Sequence, residues 1–175
     1  WVLTQQQDNF WLANCDNTEH KNHKPIIHTI AYTLDGLFDS GGLLKDEKYR
    51  NAAIGGAEIL AQKFVERGLL HGRYDKRWHG SEAFIPTGGA QLAILWHKIA
   101  RADTKAFWAE EARSSMNVLL SVIATNGART ALDVGGALQG SFPMWGRYET
   151  FGLPNWATKY MADSLMNELN WSNER

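Results

Sequence analysis

The chain has 175 residues, 44% hydrophobic and 21% charged, with a formal net charge of −1. That balance suits one globular domain with a real core and excludes a disordered segment. It also excludes a general electrostatic field for nucleic acid or anionic membrane, and the single cysteine, Cys15, excludes an internal disulfide or a Cys-rich zinc site.

Residues 1–13 read as a short helix ending near Asn14, and residues 14–24 as a polar loop. The one basic concentration, His20, Lys21, His23 and Lys24, follows Asp16 and Glu19 and reads as a solvated loop. Pro25 suits the first turn of a helix. The stripe Ile26, Ile27, Ile30, Leu34, Leu37 and Phe38 follows it at helical period, and Gly41-Gly42 is a stop signal. Asp46 caps a second helix that buries Tyr49, Ala52, Ala53, Ala57, Leu60, Ala61 and Phe64 and ends at Gly68. Residues 69–86 form a long connection rich in Gly, His and Trp.

Thr87 opens a third helix with Leu92, Leu95, Trp96 and Ile99. Asp103 is read as the cap of its partner, which buries Phe107, Ala112, Met116, Leu119, Leu120 and Ile123 and ends at Asn126-Gly127. A second long loop spans 127–152. Pro154 starts a last helix with Trp156, Tyr160, Met161, Leu165 and Leu169. No stretch alternates with period two between hairpin turns, so no sheet is expected.

Nor does any apolar run approach the roughly 20 residues needed to span a bilayer. The expectation is a soluble protein without membrane or nucleic-acid partners, with the cytoplasm favoured and the oligomeric state open. The opening Trp1-Val2-Leu3, without an initiator Met, sets the expectation of a fragment or processed product.

An internal repeat runs through the helices. Ala31, Ala93 and Ala157, each within an aromatic- and aliphatic-rich segment, stand 62 and 64 residues apart. In the partner helices Tyr49 precedes Ala53 by one turn, as Trp108 precedes Ala112. Such a period suits long helical hairpins joined by substantial loops, which must share a core with stacked neighbours. The expected fold is all-α: repeated helical hairpins, either an α/α-toroid or part of an (α/α)6 barrel, with residues 1–175 as a single domain.

Several segments carry a family resemblance. Gly140-Ser141-Phe142-Pro143-Met144-Trp145-Gly146-Arg147-Tyr148, followed by Pro154-Asn155-Trp156-Ala157-Thr158-Lys159-Tyr160, resembles a motif pair of a bacterial helical family. His28-Thr29-Ile30-Ala31-Tyr32-Thr33-Leu34-Asp35-Gly36-Leu37 and Thr87-Gly88-Gly89-Ala90-Gln91-Leu92-Ala93 resemble the same family. That family is described as similar to squalene cyclases, prenyltransferases and six-hairpin glycosidases. Gln5-x-x-x-Asn9-x-Trp11 resembles the repeat motif of terpene cyclases, with Asn in the place of its Gly. The resemblance implies a toroid fold and carries no activity. The Asp-rich acid motif of terpene cyclases is missing, and Cys15 lacks the setting of a prenyltransferase zinc ligand.

The chemistry-bearing residues fall at helix starts and in the two long loops. The repeat places Thr29, Gln91 and Asn155 at like positions, so His28, Gln91 and Asn155 would gather where three helix dipoles point. The same polar groups equally serve as caps. The first loop holds Arg73, Asp75, Trp78 and Glu82, and the second Trp145, Arg147, Tyr148 and Glu149. Aromatic rings lie on sugar faces while Arg grips carboxylates in two-pronged bonds. Trp78 and Trp145 read as site residues; Trp156, on a helix face, reads more readily as core but stays among the ligand contacts. Asp75 and Glu149 are the expected acid pair for glycan hydrolysis, with Asp35 and Glu82 as substitutes. For lysis, His28 and Tyr32, one turn apart, would join Arg147 and Asn155. His20 with His23, and His71 with His79, have ligand-like spacing without a fixed acidic partner, so neither metal nor cofactor is expected. The expected function is carbohydrate binding or processing at a loop-covered concave face. The alternatives are a non-catalytic helical scaffold within a larger protein and a terpenoid-binding toroid.

Overall fold

A computed structural model describes residues 1–103, 105–123 and 135–173. Those residues carry six α-helices and one two-stranded sheet. Where the sequence reading takes 1–175 as one domain, the chain divides into two compact units, Trp1–Glu82 and Ala83–Arg175.

The first unit is a helical hairpin with a small sheet. Helix α1 (Val2–Gln5) is a single turn, not the helix expected over 1–13. Beyond it the chain folds back: Gln6 bridges Leu12, and the Gln7 and Phe10 backbones close a turn. The left-handed residue of that turn is Phe10, at φ 63°. Asn9 instead works with its side chain, accepting from the Trp11 N–H and donating to the Lys76 carbonyl.

Helix α2 (Ile27–Leu44) starts two residues after Pro25, because the chain is first tied to the loop ahead of the sheet. The Pro25 carbonyl accepts from Tyr74 N–H, and Ile27 N–H donates to Gly72. Nor does Gly41-Gly42 stop α2, which runs to Leu44 and is closed by Lys45 in the left-handed conformation at φ 53°. Helix α3 (Glu47–Arg67) is capped by the Asp46 carboxylate on Lys48 N–H and ended by left-handed Gly68, as its sequence dictates.

The two helices bury alanines together with branched aliphatic side chains. Ile27, Ile30, Ala31 and Leu34 on α2, and Ala53, Ala57, Leu60 and Ala61 on α3, are fully buried. Strands β1 (Arg73–Tyr74) and β2 (Gly80–Ser81) then form an antiparallel pair, Arg73 opposite Ser81. This sheet corrects the expectation of none; two-residue strands are too short to leave a period-two pattern.

The second unit is built on α4 (Pro86–Ala102), which packs against both α5 (Ala106–Ser121) and α6 (Asn155–Asn173). Contact on two sides explains why α4 is apolar nearly all round. Leu92, Ala93, Leu95, Trp96 and Ile99 are fully buried. Pro86 takes the first helical position and Asp103 ends the helix rather than capping α5, whose N-cap is Lys105. That shift rotates α5 relative to expectation. Trp108 and Ala109 join Ala112, Met116 and Leu119 in the core, while Phe107 and Leu120 are exposed. On α6, Ala157, Met161, Ser164 and Trp171 are buried, whereas Trp156 and Leu169 are exposed. Asn126-Gly127 lies outside the described residues, as does the first part of the second loop.

Gly41 owes its place to a close approach. A Cβ there would stand 2.6 Å from Arg50 Cγ and 2.8 Å from the Arg50 backbone nitrogen, whereas one at Gly36 would meet nothing within 4 Å. Gly41→Ala is therefore expected to lower stability by roughly 1–3 kcal/mol in urea unfolding. Gly36→Ala is expected to raise it by roughly 0.5–1 kcal/mol, as an exposed helix-interior glycine does. Equal effects at the two positions would show that α2 and α3 do not approach closely at Gly41.

Candidate functional site

In the first unit most of the polar candidates are engaged in holding the loops. Arg73 is buried; its Nη1 lies 2.6 Å from Asp16 Oδ2 and 2.7 Å from the Lys24 carbonyl, and its Nε 3.3 Å from Glu82 Oε2. This buried ion pair joins the 14–24 loop to β1. Asp75 caps the hairpin turn: its Oδ1 accepts from the Arg77 and His79 backbone N–H groups, each at 2.9 Å. Burial raises its pKa, but those bonds together outweigh it and hold the carboxyl below its ordinary value. Asp75 is thus an ionised turn cap at neutral pH, the wrong state for a proton donor.

Trp78 is buried, not presented to a ligand. Its indole Nε1 donates to the Asn9 carbonyl at 2.9 Å and its ring sits 5.7 Å from that of Tyr74. The ring pins the hairpin to the N-terminal turn. His28 and Tyr32 share a face of α2 but not an environment. His28 is largely buried, which pushes its pKa down to about 4 against the pull of Asp16. Tyr32 is exposed. The Cys15 thiol is buried beside Thr33 Oγ1, and that burial raises its pKa, the opposite of an activated nucleophile.

The second unit holds a different arrangement. From Leu138 to Pro154 the loop is cross-tied by its own backbone. Gly140 N–H donates to Gly152 and Gly152 N–H to Glu149. The Ser141 hydroxyl donates to the Tyr148 carbonyl at 2.5 Å and accepts from the Tyr148 N–H at 3.2 Å. Thr150 Oγ1 donates to the Gly146 carbonyl at 2.7 Å. On this frame large rings face outward: Trp145 is 70% exposed, Phe151 68%, Trp156 44% and Phe142 39%. Trp156 Nε1 donates to the Tyr148 hydroxyl at 3.1 Å, tying the first turn of α6 to the loop. Arg147 and Glu149 are exposed on the same loop, and Asn155, exposed, begins α6.

The three helix-start candidates do not hold like depths. Thr29, Gln91 and Asn155 are the third, sixth and first residues of α2, α4 and α6. Thr29 Oγ1 is bonded to the Cys15 and Ile26 carbonyls, while Gln91 is buried. His28 and Asp75 belong to the first unit; Gln91, Glu149 and Asn155 belong to the second.

Sequence reasoning missed two features. Phe142 and Phe151 are exposed beside Trp145 and Trp156 in the same loop region, and their setting among Gly, Ser and Thr was the available signal. The second is a polar network under α6. Fully buried His97 places Nε2 2.9 Å from Glu168 Oε2, and Arg113 Nε lies 2.9 Å from Glu168 Oε1. Burial lowers the His97 pKa, and Glu168 opposes that. Among the described residues no three His, Cys, Asp or Glu side chains gather as a metal site. No helix among them is long and apolar enough to cross a membrane. No family model matches the chain, and neither does any curated protein or solved structure.

His28 gives this region a pH signature. Its folded pKa, about 4, lies below the ordinary 6.5. Above pH 6.5 neither folded nor unfolded chain holds the proton. As pH falls from 6.5 toward 4 the unfolded chain takes it first, so stability drops by up to roughly 3 kcal/mol. His28→Gln is expected to flatten that part of the curve, read as urea midpoints from about pH 7 to about pH 4.5. His97 contributes a slope of the same sign, which the variant leaves in place. An unaltered curve would show that His28 is not desolvated.

Proposed function

We propose that the chain is a carbohydrate-binding helical domain whose ligand face is the aromatic loop 141–152 with the first turn of α6. The observation that carries this reading is the outward display of Phe142, Trp145, Phe151 and Trp156 on a loop cross-tied by its own hydrogen bonds. Folded chains rarely leave several large rings together in water, and such patches mark interaction surfaces. Flat rings suit the apolar faces of sugars, while Arg147, Glu149 and Asn155 offer charge and hydrogen bonds to hydroxyl or carboxylate groups.

Binding is favoured over hydrolysis or lysis by the state of the other candidates. Asp75 is committed to a turn, and half-buried His28 is a weak base. The reading places the chain within an α/α-toroid arrangement. It draws support from the full burial of Ala31, Ala93 and Ala157, the three repeat positions.

Trp145→Ala and Trp156→Ala are each expected to weaken binding about tenfold, the worth of one stacked ring. Calorimetry against cellohexaose, xylohexaose and hexagalacturonate measures it. Leu43→Ala, which trims an exposed side chain in the other unit, is expected to bind as the parent does. Equal affinity of both Trp variants and the parent would remove the aromatic loop from the site.

A further inference from the structure

Helix α4 begins in an unusual way. Its N-cap is Ile85, which offers no side-chain acceptor, and Pro86 brings no N–H. In the first turn Thr87 is 1% exposed, and one turn later Gln91 is 6% exposed. Thr87 Oγ1 and Gln91 Oε1 are buried and have no hydrogen-bond partner among the described residues.

Buried polar atoms are nearly always paired, and an orphan lowers stability until something meets it. Two orphans at positions i and i+4 share one helix face. Helical side chains lean toward the N-terminus, which inclines a side chain at position 91 toward position 87. The two nonetheless do not pair with each other. The segment that leads into this helix adjoins the aromatic loop. Phe142 N–H donates to the Phe84 carbonyl at 2.8 Å, and Gly146 is packed against Ala83, whose Cβ would lie 2.7 Å from a Cβ at that glycine. The loop is therefore seated on residues 83–84, just ahead of Pro86.

We infer that Thr87 and Gln91 form a hydroxyl-recognition subsite at the start of α4, which takes a sugar hydroxyl beside the rings of the loop. This deepens the proposed carbohydrate-binding reading and rests on it for the ligand class. The chemistry selects the group. Gln91 Oε1 only accepts, whereas the Thr87 hydroxyl both donates and accepts. A ligand hydroxyl donates to the first and accepts from the second. A carboxylate or phosphate has no proton for Gln91 Oε1, and a hydrocarbon leaves both orphans unmet.

The test is a titration of isotope-labelled protein with cellohexaose, xylohexaose and hexagalacturonate, with Thr87→Val and Gln91→Met alongside. The Gln91 side-chain amide signals are expected to shift and saturate together with the Trp145 and Trp156 indole signals. Both variants are expected to bind at least about tenfold more weakly. Both are also expected to melt roughly 2–5 °C higher, because an apolar near-isostere relieves an orphan. Indole shifts without Gln91 shifts, and variants that bind like the parent, would overturn the subsite and leave the aromatic face standing; the orphans would then be met by water only. Gln91 shifts without indole shifts would keep the subsite and remove the rings from the site. No shift at either place with any of the three sugars would overturn both.

Discussion

Close packing of helices through small side chains is the constraint from which the rest follows. At the crossings the fully buried residues are repeatedly alanines: Ala31, Ala53, Ala57 and Ala61 in the first unit, Ala93, Ala112 and Ala157 in the second. Gly41 takes the same logic to its limit, with the Arg50 backbone where a side chain would otherwise stand. In the first unit the two buried Trp side chains, Trp11 and Trp78, lie outside the two long helices. Each finds a carbonyl for its indole N–H, on Tyr74 and on Asn9. They act as pins for loops that have no regular structure of their own.

The same economy governs the charges. Arg73, Asp16 and Glu82 form an ion-paired group that fixes the approach to α2 against β1. A pair buried to this degree is held by its geometry, and removing one partner leaves an uncompensated charge costing roughly 3–5 kcal/mol. Asp75 is used in turn chemistry and Asp46 in a helix cap. In the second unit Glu168 serves His97 and Arg113 together, so α6 is joined to both α4 and α5 by one carboxylate. On the second loop the large side chains that this bonding leaves exposed are aromatic.

How much of this was legible depends on the range of the interaction. Signals held within one turn of helix read correctly. Asp46 and Gly68 bound α3, and the stripe Leu92, Leu95, Trp96 and Ile99 is buried as its period requires. Signals that compete with distant partners did not. Gly41-Gly42 looks like a stop, yet the second glycine continues the helix because the first is needed for a crossing. Pro25 looks like a helix start, yet its carbonyl is bonded to Tyr74, 49 residues away in the chain. Asp103 looks like a cap for the following helix but ends the preceding one, which turns Phe107 outward and Trp108 inward. At the candidate site the aromatic content of 140–156 was plain, but ring orientation was not. Trp78 and Trp156 exchange the roles that sequence pattern suggests, because one indole reaches a carbonyl across 69 residues while the other bonds a tyrosine on the solvent side.

Two kinds of local feature that oppose folding meet at the second loop and the start of α4. Loop 141–152 and the first turn of α6 expose the rings of Phe142, Trp145, Phe151 and Trp156, and the first two turns of α4 bury Thr87 Oγ1 and Gln91 Oε1, which have no partner among the described residues. The backbone between Leu138 and Pro154 is meanwhile tied at each step, down to a serine hydroxyl that serves both ends of one residue, Tyr148. A loop under selection for stability alone has no use for that combination, since exposed rings gain nothing from water and orphaned oxygens lose by burial. Sequences that specify a fold are consistent from level to level, and they depart from consistency where a second demand acts on the same residues. A rigid frame beneath groups that are unfavourable in the free protein is what a binding surface requires. The frame removes the cost of ordering at the moment of contact, and the unfavourable groups are those whose environment a ligand improves.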